Sequence, residues 1–310
     1  MSTAQLQQFL QQGVAHHRAG RLAEALSCYT RARALAPRNF DAVHLTGVVA
    51  LQQGRPTDAV GWLQKALKLD ARSAAAHMRL GLALMGCGRA KEAEPHFREA
   101  VRLKSDYVEG WDNLAYCLKA QDRLSEAIEC HERAVGLDPK HAVSWYNYGL
   151  TLGHCGRVSD ALGCHERALA ANPNYARGHF GRAQALHKLH RIPEAIAAYG
   201  EFLRREPRHH DARSYRLFAL NYLDGVSREE LFAEHLAFGC AVGEFAPPEF
   251  PNEPVPDRRL QVAILSPDLR MHSCAYFLEP LLRHLPREQF EFCLYHDHFR
   301  TDHVSARLRE

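Results

Sequence analysis

The residues with chemistry to offer in this sequence are histidines, a pair of asparagines and a few carboxylates. Cys130-His131-Glu132-Arg133-Ala134 returns as Cys164-His165-Glu166-Arg167-Ala168, so two Cys-His pairs stand 34 residues apart. A closed zinc site needs four converging ligands. Both histidines also take the slot that Tyr29, Phe97 and Tyr199 fill elsewhere, so packing is the expected role and no metal is expected. His296-Asp297-His298 with His303 forms a second ligand-like group, for which the plainer reading is a set of loop histidines. Asn113 and Asn147 are also 34 residues apart. An amide both donates and accepts, so a row of amides can hold an extended peptide backbone with little regard to its side chains. The alternative is that asparagine is simply common at this position. Arg79 stands one register earlier and adds a cation. Asp268 and His272 follow an apolar run near the C-terminal end. An imidazole, with a pKa of about 6.5, serves as a general base near neutrality. Taken alone, Asp268 caps a turn and His272 is an ordinary loop histidine.

What positions these groups is a repeat. From Ala25-x3-Tyr29-x2-Ala32-x4-Pro37, steps of 34 residues give Ala59, Ala93, Ala127, Ala161 and Ala195. The second alanine returns as Ala66, Ala100, Ala134 and Ala168, with Phe202 in the last copy. An earlier position reads Gly13, Gly47, Gly81, Ala115, Gly149 and Ala183. The spacing predicts six helix-turn-helix units over residues 6–209. Gly20, Gly54, Gly88 and Gly156 stand where each first helix must stop, which suits a residue that tolerates positive φ. One hairpin cannot bury its apolar face alone, so the units must stack into a superhelix.

Beyond His210 the pattern decays. Asp211 to Leu223 reads as one further helix. Ser227-Arg228-Glu229-Glu230 reads as an N-cap opening another through Val242. This pair, residues 210–243, is expected to cap the stack and bury its last apolar face. Residues 244–258 carry prolines 247, 248, 251, 254 and 256 and read as a stiff linker. In 259–310, Leu260–Leu265 reads as a buried strand, Ala275–Leu285 as a helix, Phe290–Tyr295 as a second strand. Thr301 or Asp302 then caps a last helix. Strand-helix-strand is the opening of a parallel α/β sheet.

Composition narrows the function. The 310 residues are 46% hydrophobic and 24% charged, with a formal charge of +3. That is a folded composition without the basic excess of a nucleic-acid binder. No apolar run approaches the roughly 18 residues of a membrane span. The nine cysteines form no disulfide framework. Together with a Gln-rich N-terminus lacking a signal core, this leads to the expectation of a cytoplasmic protein.

Residues 6–209 resemble the tetratricopeptide repeat family, which implies a protein- or peptide-binding groove lined by the first helix of each pair. Trp111-Asp112-Asn113-Leu114-Ala115 and Trp145-Tyr146-Asn147-Tyr148-Gly149 resemble the asparagine ladder of O-GlcNAc transferases. Arg259 through Asp268, then Met271-His272-Ser273-Cys274-Ala275-Tyr276-Phe277-Leu278-Glu279-Pro280, resemble the start of the catalytic region of O-GlcNAc transferase and Spindly-type glycosyltransferases. Ala263 departs from the glycine usual there, and Leu269 from the usual phenylalanine. The resemblance implies a mainly α chain, a repeat superhelix followed by the incomplete start of a Rossmann-like GT-B lobe. It implies an inverting, metal-independent transfer from UDP-N-acetylglucosamine to Ser or Thr of protein acceptors, needing no cofactor. In that reading His272 is base or donor-positioning residue and Asp268 supports it, while Asn113, Asn147 and Arg79 line the groove. A GDP-fucose donor and a non-catalytic scaffold are the alternatives. With the sequence ending at Glu310 inside the first lobe, these residues alone are expected to transfer no sugar.

Overall fold

The computed structural model describes residues 3–223, 225–242, 259–266, 268–296 and 302–308. The chain divides into two compact units, Met1–Glu244 and Phe245–Glu310. The first is built from antiparallel helix pairs: α1 (Thr3–Arg18) with α2 (Leu22–Leu35), α3 (Phe40–Gln52) with α4 (Pro56–Leu69), and α5 (Ala74–Gly86) with α6 (Ala90–Leu103). Then come α7 (Val108–Lys119) with α8 (Leu124–Leu137), α9 (Ala142–His154) with α10 (Val158–Ala171), and α11 (Ala176–Lys188) with α12 (Ile192–Arg205). Each second helix also packs on the first helix of the next pair, and the buried core falls into four successive clusters along the stack.

The repeat spacing acts through two local devices. The first is the turn. Gly20, Gly54, Gly88 and Gly156 have φ of +72°, +71°, +73° and +79°. The residue after each is an arginine whose N–H bonds back five residues, as Arg21 does to His16 at 2.9 Å. This wraps the last turn and satisfies carbonyls that would otherwise be orphaned. Asp122 and His190 occupy the same slot and also take positive φ, +62° and +58°. Arg55, Arg89, Arg123, Arg157 and Arg191 then pair with an acid three residues on, as Arg89 does with Glu92 and Arg157 with Asp160, while Arg21 donates to His16 Nδ1.

The second device is close packing of a small residue against a ring. A Cβ at Gly13 would lie 2.4 Å from the ring of Tyr29, and one at Gly81 would lie 2.6 Å from that of Phe97. The backbone therefore approaches the ring where a side chain would block it, and Tyr29, Phe97 and Tyr199 are almost wholly buried.

α13 (His210–Leu220) and α14 (Arg228–Val242) follow. α13 ends at Leu220, short of Leu223, because the Asn221 amide donates to the Leu217 carbonyl at 2.9 Å and caps the helix. The expected N-cap opens α14: the Ser227 hydroxyl accepts the Glu230 N–H at 3.1 Å, and the Glu230 carboxylate accepts the Ser227 N–H. Of this pair, α13 packs on α12 and buries Ala212, Leu217, Ala219 and Leu220, whereas α14 adds little cover. α14 buries none of its described residues, Phe232 is 69% exposed, and Phe218, Tyr222 and Leu236 are also exposed. Its apolar residues are spread around the helix rather than gathered on one face, so it has no stripe to lay down.

The second unit holds β1 (Leu260–Ser266) and β2 (Phe290–His296), paired in parallel from Leu260↔Phe290 to Ser266↔His296. α15 (Ser273–His284) connects them and α16 (His303–Arg307) follows. The Asp302 cap of α16 is as the sequence predicts. β1 is not the buried strand expected. Leu265 is 73% exposed, and no described residue of β1 is fully buried. Among the described residues the sheet has two strands, too few to cover both faces of either. A full GT-B lobe is not what these residues build. The Pro-rich stretch, Pro267, the Asp297-His298 motif and Thr301 lie outside the described residues.

Candidate functional site

The groove face of α7 and α9 is organised by a buried polar network. At the position of Asp112 the other repeats carry Leu10, His44, Met78, Tyr146 and Phe180. Here a carboxylate is buried instead, and a buried carboxylate must be paired. His131 Nδ1 lies 3.0 Å from Asp112 Oδ1, and the Ser144 hydroxyl donates to Oδ2 at 2.5 Å. His141 Nδ1 stands 2.6 Å from Ser144 Oγ, so with that hydroxyl's proton committed to Asp112, His141 donates. On the far side, His131 Nε2 is 3.1 Å from Thr151 Oγ1, which lies 3.2 Å from the Asn147 carbonyl. A carboxylate, an imidazole and a hydroxyl in a row suggest nucleophile chemistry. Thr151 is buried, however, and its one proton is shared between the Asn147 carbonyl and His131. The network orients α7 against α9 rather than reacting.

Its consequence is the placement of the two asparagines. Asn113 follows Asp112, and Asn147 sits one turn before Thr151. Both line one cavity of about 310 Å³, together with Glu109, Lys119 and His141. The Asn113 amide donates to the Glu109 carbonyl at 2.7 Å, which leaves its oxygen available. Asn147 makes no side-chain hydrogen bond to the described residues. Arg79 does not join this cavity. It is exposed one repeat earlier, and its charge adds to burial in lowering the pKa of His44.

Sequence reasoning singled out Asn113 and Asn147 but missed Asp112, Ser144 and Thr151. The signal was present: Asp112 is the one carboxylate in its column, and Ser144 and Thr151 put hydroxyls where the other repeats place an apolar or small residue. Ser144 answers to Ala42, Ala76, Gly110 and Gly178, and Thr151 to Val49, Ala83, Cys117 and Ala185.

The two Cys-His pairs are buried in adjacent second helices, though unlike one another. Burial pushes the thiols of Cys130 and Cys164 up to about 11. His131 is bonded through both ring nitrogens. His165 makes no ring hydrogen bond to the described residues, and its buried Nδ1 is left without a partner among them. Tyr146 and Ala185 stand where Asp112 and Thr151 would have served it. Burial lowers the pKa of His165 to about 4, so the ring is neutral at pH 7.

In the second unit, His272 is the N-cap of α15. Its Nδ1 accepts the Cys274 N–H at 3.3 Å, which leaves the proton of a neutral ring on Nε2. Asp268 Oδ2 lies 3.7 Å from that Nδ1, too far for a hydrogen bond, while the Asp268 N–H donates to Ser266 Oγ at 3.0 Å. Donor atoms of Asp268, His272 and Cys274 fall within 4.8 Å of one another. The loop is pinned by Asp302, whose Oδ2 accepts the Met271 N–H at 2.7 Å. That bond, with those from Ser305 and Val304, holds the Asp302 carboxyl down at about 2. The sequence marks Asp302 only as a cap, since its second partner is 31 residues away.

Family models of the tetratricopeptide repeat match residues 10–74 and 155–199, residues 50–102 and residues 108–141. Among curated proteins, the probable UDP-N-acetylglucosamine–peptide N-acetylglucosaminyltransferase SPINDLY of Solanum lycopersicum is 28% identical over 102 residues, 32% of this chain and 11% of that protein. Its namesake in Oryza sativa subsp. japonica is 29% identical over the same length, again 11% of the relative. The matched stretch is thus about a tenth of these relatives. Of solved structures, a chain of the APC/C hetero-tetramer Cut9–Hcn1 superposes with a TM-score of 0.61 at 19% identity, covering 69% of this chain and 43% of that one. Pseudomonas aeruginosa pilF gives 0.57 at 23% identity, with 66% and 90% covered. An O-GlcNAc transferase mutant of Thermobaculum terrenum gives 0.50 at 24% identity, with 65% and 39% covered. These likenesses show the fold of the repeat stack.

Proposed function

This chain carries tetratricopeptide repeats, and from that premise we propose that the groove of its first unit binds extended segments of partner proteins. The observation that carries the reading is the cavity shared by Asn113 and Asn147. Two amides on neighbouring first helices, held in register by a buried network, offer donors and acceptors to a peptide backbone. Such bonds do not depend on the partner's side chains, so the groove accepts many sequences.

The finer part of the proposal concerns what the binding serves. The SPINDLY relatives support an O-glycosyltransferase in which the repeats deliver Ser or Thr acceptors. The second unit would open its catalytic part. UDP-N-acetylglucosamine is the donor that fits those relatives' printed names. His272 supports this reading through its position: it caps a helix at the end of a parallel strand, where α/β proteins place ligand-facing groups. Its Nε2–H would donate to an oxygen of the sugar-nucleotide donor; service as base toward an acceptor hydroxyl would need the other neutral tautomer, with the proton on Nδ1 in place of the bond from the Cys274 N–H. Asp268 and Ser266 shape the loop that carries it.

The test has two arms. Asn113→Ala with Asn147→Ala should weaken binding of unrelated capped peptides alike, by about tenfold or more, since each lost bond is worth on the order of 1 kcal/mol. Unchanged affinity across the panel would remove the amide pair from the account. His272→Ala should abolish transfer of radiolabelled N-acetylglucosamine in the native protein while leaving peptide affinity intact. Undiminished transfer would remove His272.

A further inference from the structure

One junction along from the asparagine cavity, between α9 and α11, lies a second cavity of about 320 Å³. It exists because of a glycine. Gly181 occupies the register of Asn113 and Asn147. A Cβ there would stand 2.6 Å from His165 Cε1, and a Cβ at Gly149 would stand equally close from the other side. The His165 ring is thus held between two backbones at the floor of the cavity, with Nδ1 unpaired. The ring itself lines the cavity, so whatever enters there lies against a buried imidazole with no hydrogen-bond partner for Nδ1 among the described residues.

The lining states what that something is. Its polar side chains are His154, His165, Gln184 and Lys188, every one able to donate a hydrogen bond; no carboxylate is among them. Leu150, Val158 and Ala185 make apolar walls. The neighbouring asparagine cavity, by contrast, contains Glu109 and Asp112. Leu150 lines both cavities, so the two are consecutive stations of one groove.

We propose that the cavity over His165 is a subsite for an acidic side chain of the bound peptide, its carboxylate received by Lys188 and Gln184 above the imidazole ring. The inference rests on the groove reading. Its apolar walls favour the longer methylene stem of glutamate, and Lys188 at the mouth supplies the complementary charge. A hydrogen bond to a charged group in a partly desolvated site contributes more than a neutral one.

The experiment uses the full chain and short peptides, acetylated and amidated at their ends, of Gly, Ser and Ala. One series carries a single Glu at successive positions, a second carries Gln, and a third carries Gln with a free C-terminal carboxylate. In fluorescence anisotropy, one Glu position should bind about tenfold tighter than its Gln counterpart. Lys188→Gln should erase that preference, and Gly181→Asn, which fills the cavity, should do the same. NMR of the His165 ring should show its pKa rising on binding of the Glu peptide, because a negative charge comes to lie beside it. Equal affinity for Glu and Gln overturns the subsite, as does a preference indifferent to Lys188→Gln. So does preference for the free C-terminus alone. The groove reading fails separately, through Asn113→Ala with Asn147→Ala leaving the affinity of the Gln peptides unchanged.

Discussion

The junction around His131 and the junction around His165 share a five-residue motif, a register and a pair of helices on either side. Their chemistry is opposite. At the first, Asp112, Ser144 and Thr151 close a polar network and both ring nitrogens are used. At the second, Tyr146, Gly178 and Ala185 stand at the same three positions, and Nδ1 is left alone. A repeat therefore fixes where a side chain sits without fixing what it does. The partners come from the two flanking first helices, 19 residues before the histidine on α7 and 20 after it on α9, and those positions differ between the repeats. The network junction is a brace that sets the spacing of two amides. The glycine junction is open space above an unbonded ring.

Substituting both histidines with the phenylalanine that the third repeat uses, Phe97, separates the two roles most sharply. His131→Phe leaves Asp112 buried with Ser144 as its remaining donor and should cost about 3 kcal/mol, because an under-paired buried carboxylate carries its desolvation cost. His165→Phe breaks no hydrogen bond and should leave stability at pH 7 within about 1 kcal/mol of the parent. Urea midpoints of the two variants give the comparison directly. Equal losses would mean that packing rather than pairing governs both slots.

Acid should sharpen the same contrast. The folded state holds His165 neutral down to about pH 4, whereas the unfolded chain protonates it near 6.5. Between those values the unfolded state binds the extra proton. The stabilisation is complete above about pH 6.5 and is lost as pH falls toward 4, by an amount on the order of 3 kcal/mol. His165→Phe should remove that part of the slope, leaving the share of His44, His96 and His179, whose pKa values burial also lowers. Unfolding free energies across pH 4.5 to 7 decide it: parallel curves for parent and variant would show that His165 titrates normally in the fold.

A third contrast lies between two glycines on adjacent helices. Gly149→Ala places a methyl group against a ring that cannot retreat, since Gly181 closes its other side. The overpacking should cost about 2 kcal/mol. Gly163, in the middle of α10, has nothing within 4 Å of an added Cβ. Gly163→Ala should therefore stabilise by about 0.5–1 kcal/mol through helix propensity alone. Thermal melts of the two variants should move in opposite directions. Two downward shifts would refute the packing argument.

How much of this was legible in the sequence depended on the range of the cause. The helix ends, the small residue over the ring and the N-caps at Ser227 and Asp302 are set within a few residues, and the pattern shows them. The exposure of β1 and α14 was not legible, because an apolar run reports what could be buried and not whether anything covers it. Leu265 reads as part of a buried strand and is 73% exposed. The Asp112 network sits between these cases. No local motif announces it, yet reading down the columns of the repeat exposes a lone carboxylate at Asp112 and two hydroxyls, Ser144 and Thr151, in otherwise apolar or small positions. The open station at Gly181 is legible the same way, as a glycine in the column that holds Asn113 and Asn147.

The smallest effect tests whether such a column carries energy. Gly20, Gly54, Gly88, Asp122, Gly156 and His190 all take positive φ at the end of a first helix. Glycine adopts that conformation without steric cost, while an L-residue with a Cβ pays for it. His190→Gly should therefore stabilise the chain by about 0.5–1 kcal/mol, the relief of strain outweighing the greater entropy glycine has when unfolded. Asp122→Gly should gain less, because aspartate tolerates the left-handed region better than histidine does. If both variants instead lose stability to a similar degree, the turn's geometry would be set by the bond from the following arginine back to the helix, at 3.0 Å for both Arg123 and Arg191. The residue in the slot would then be a passenger.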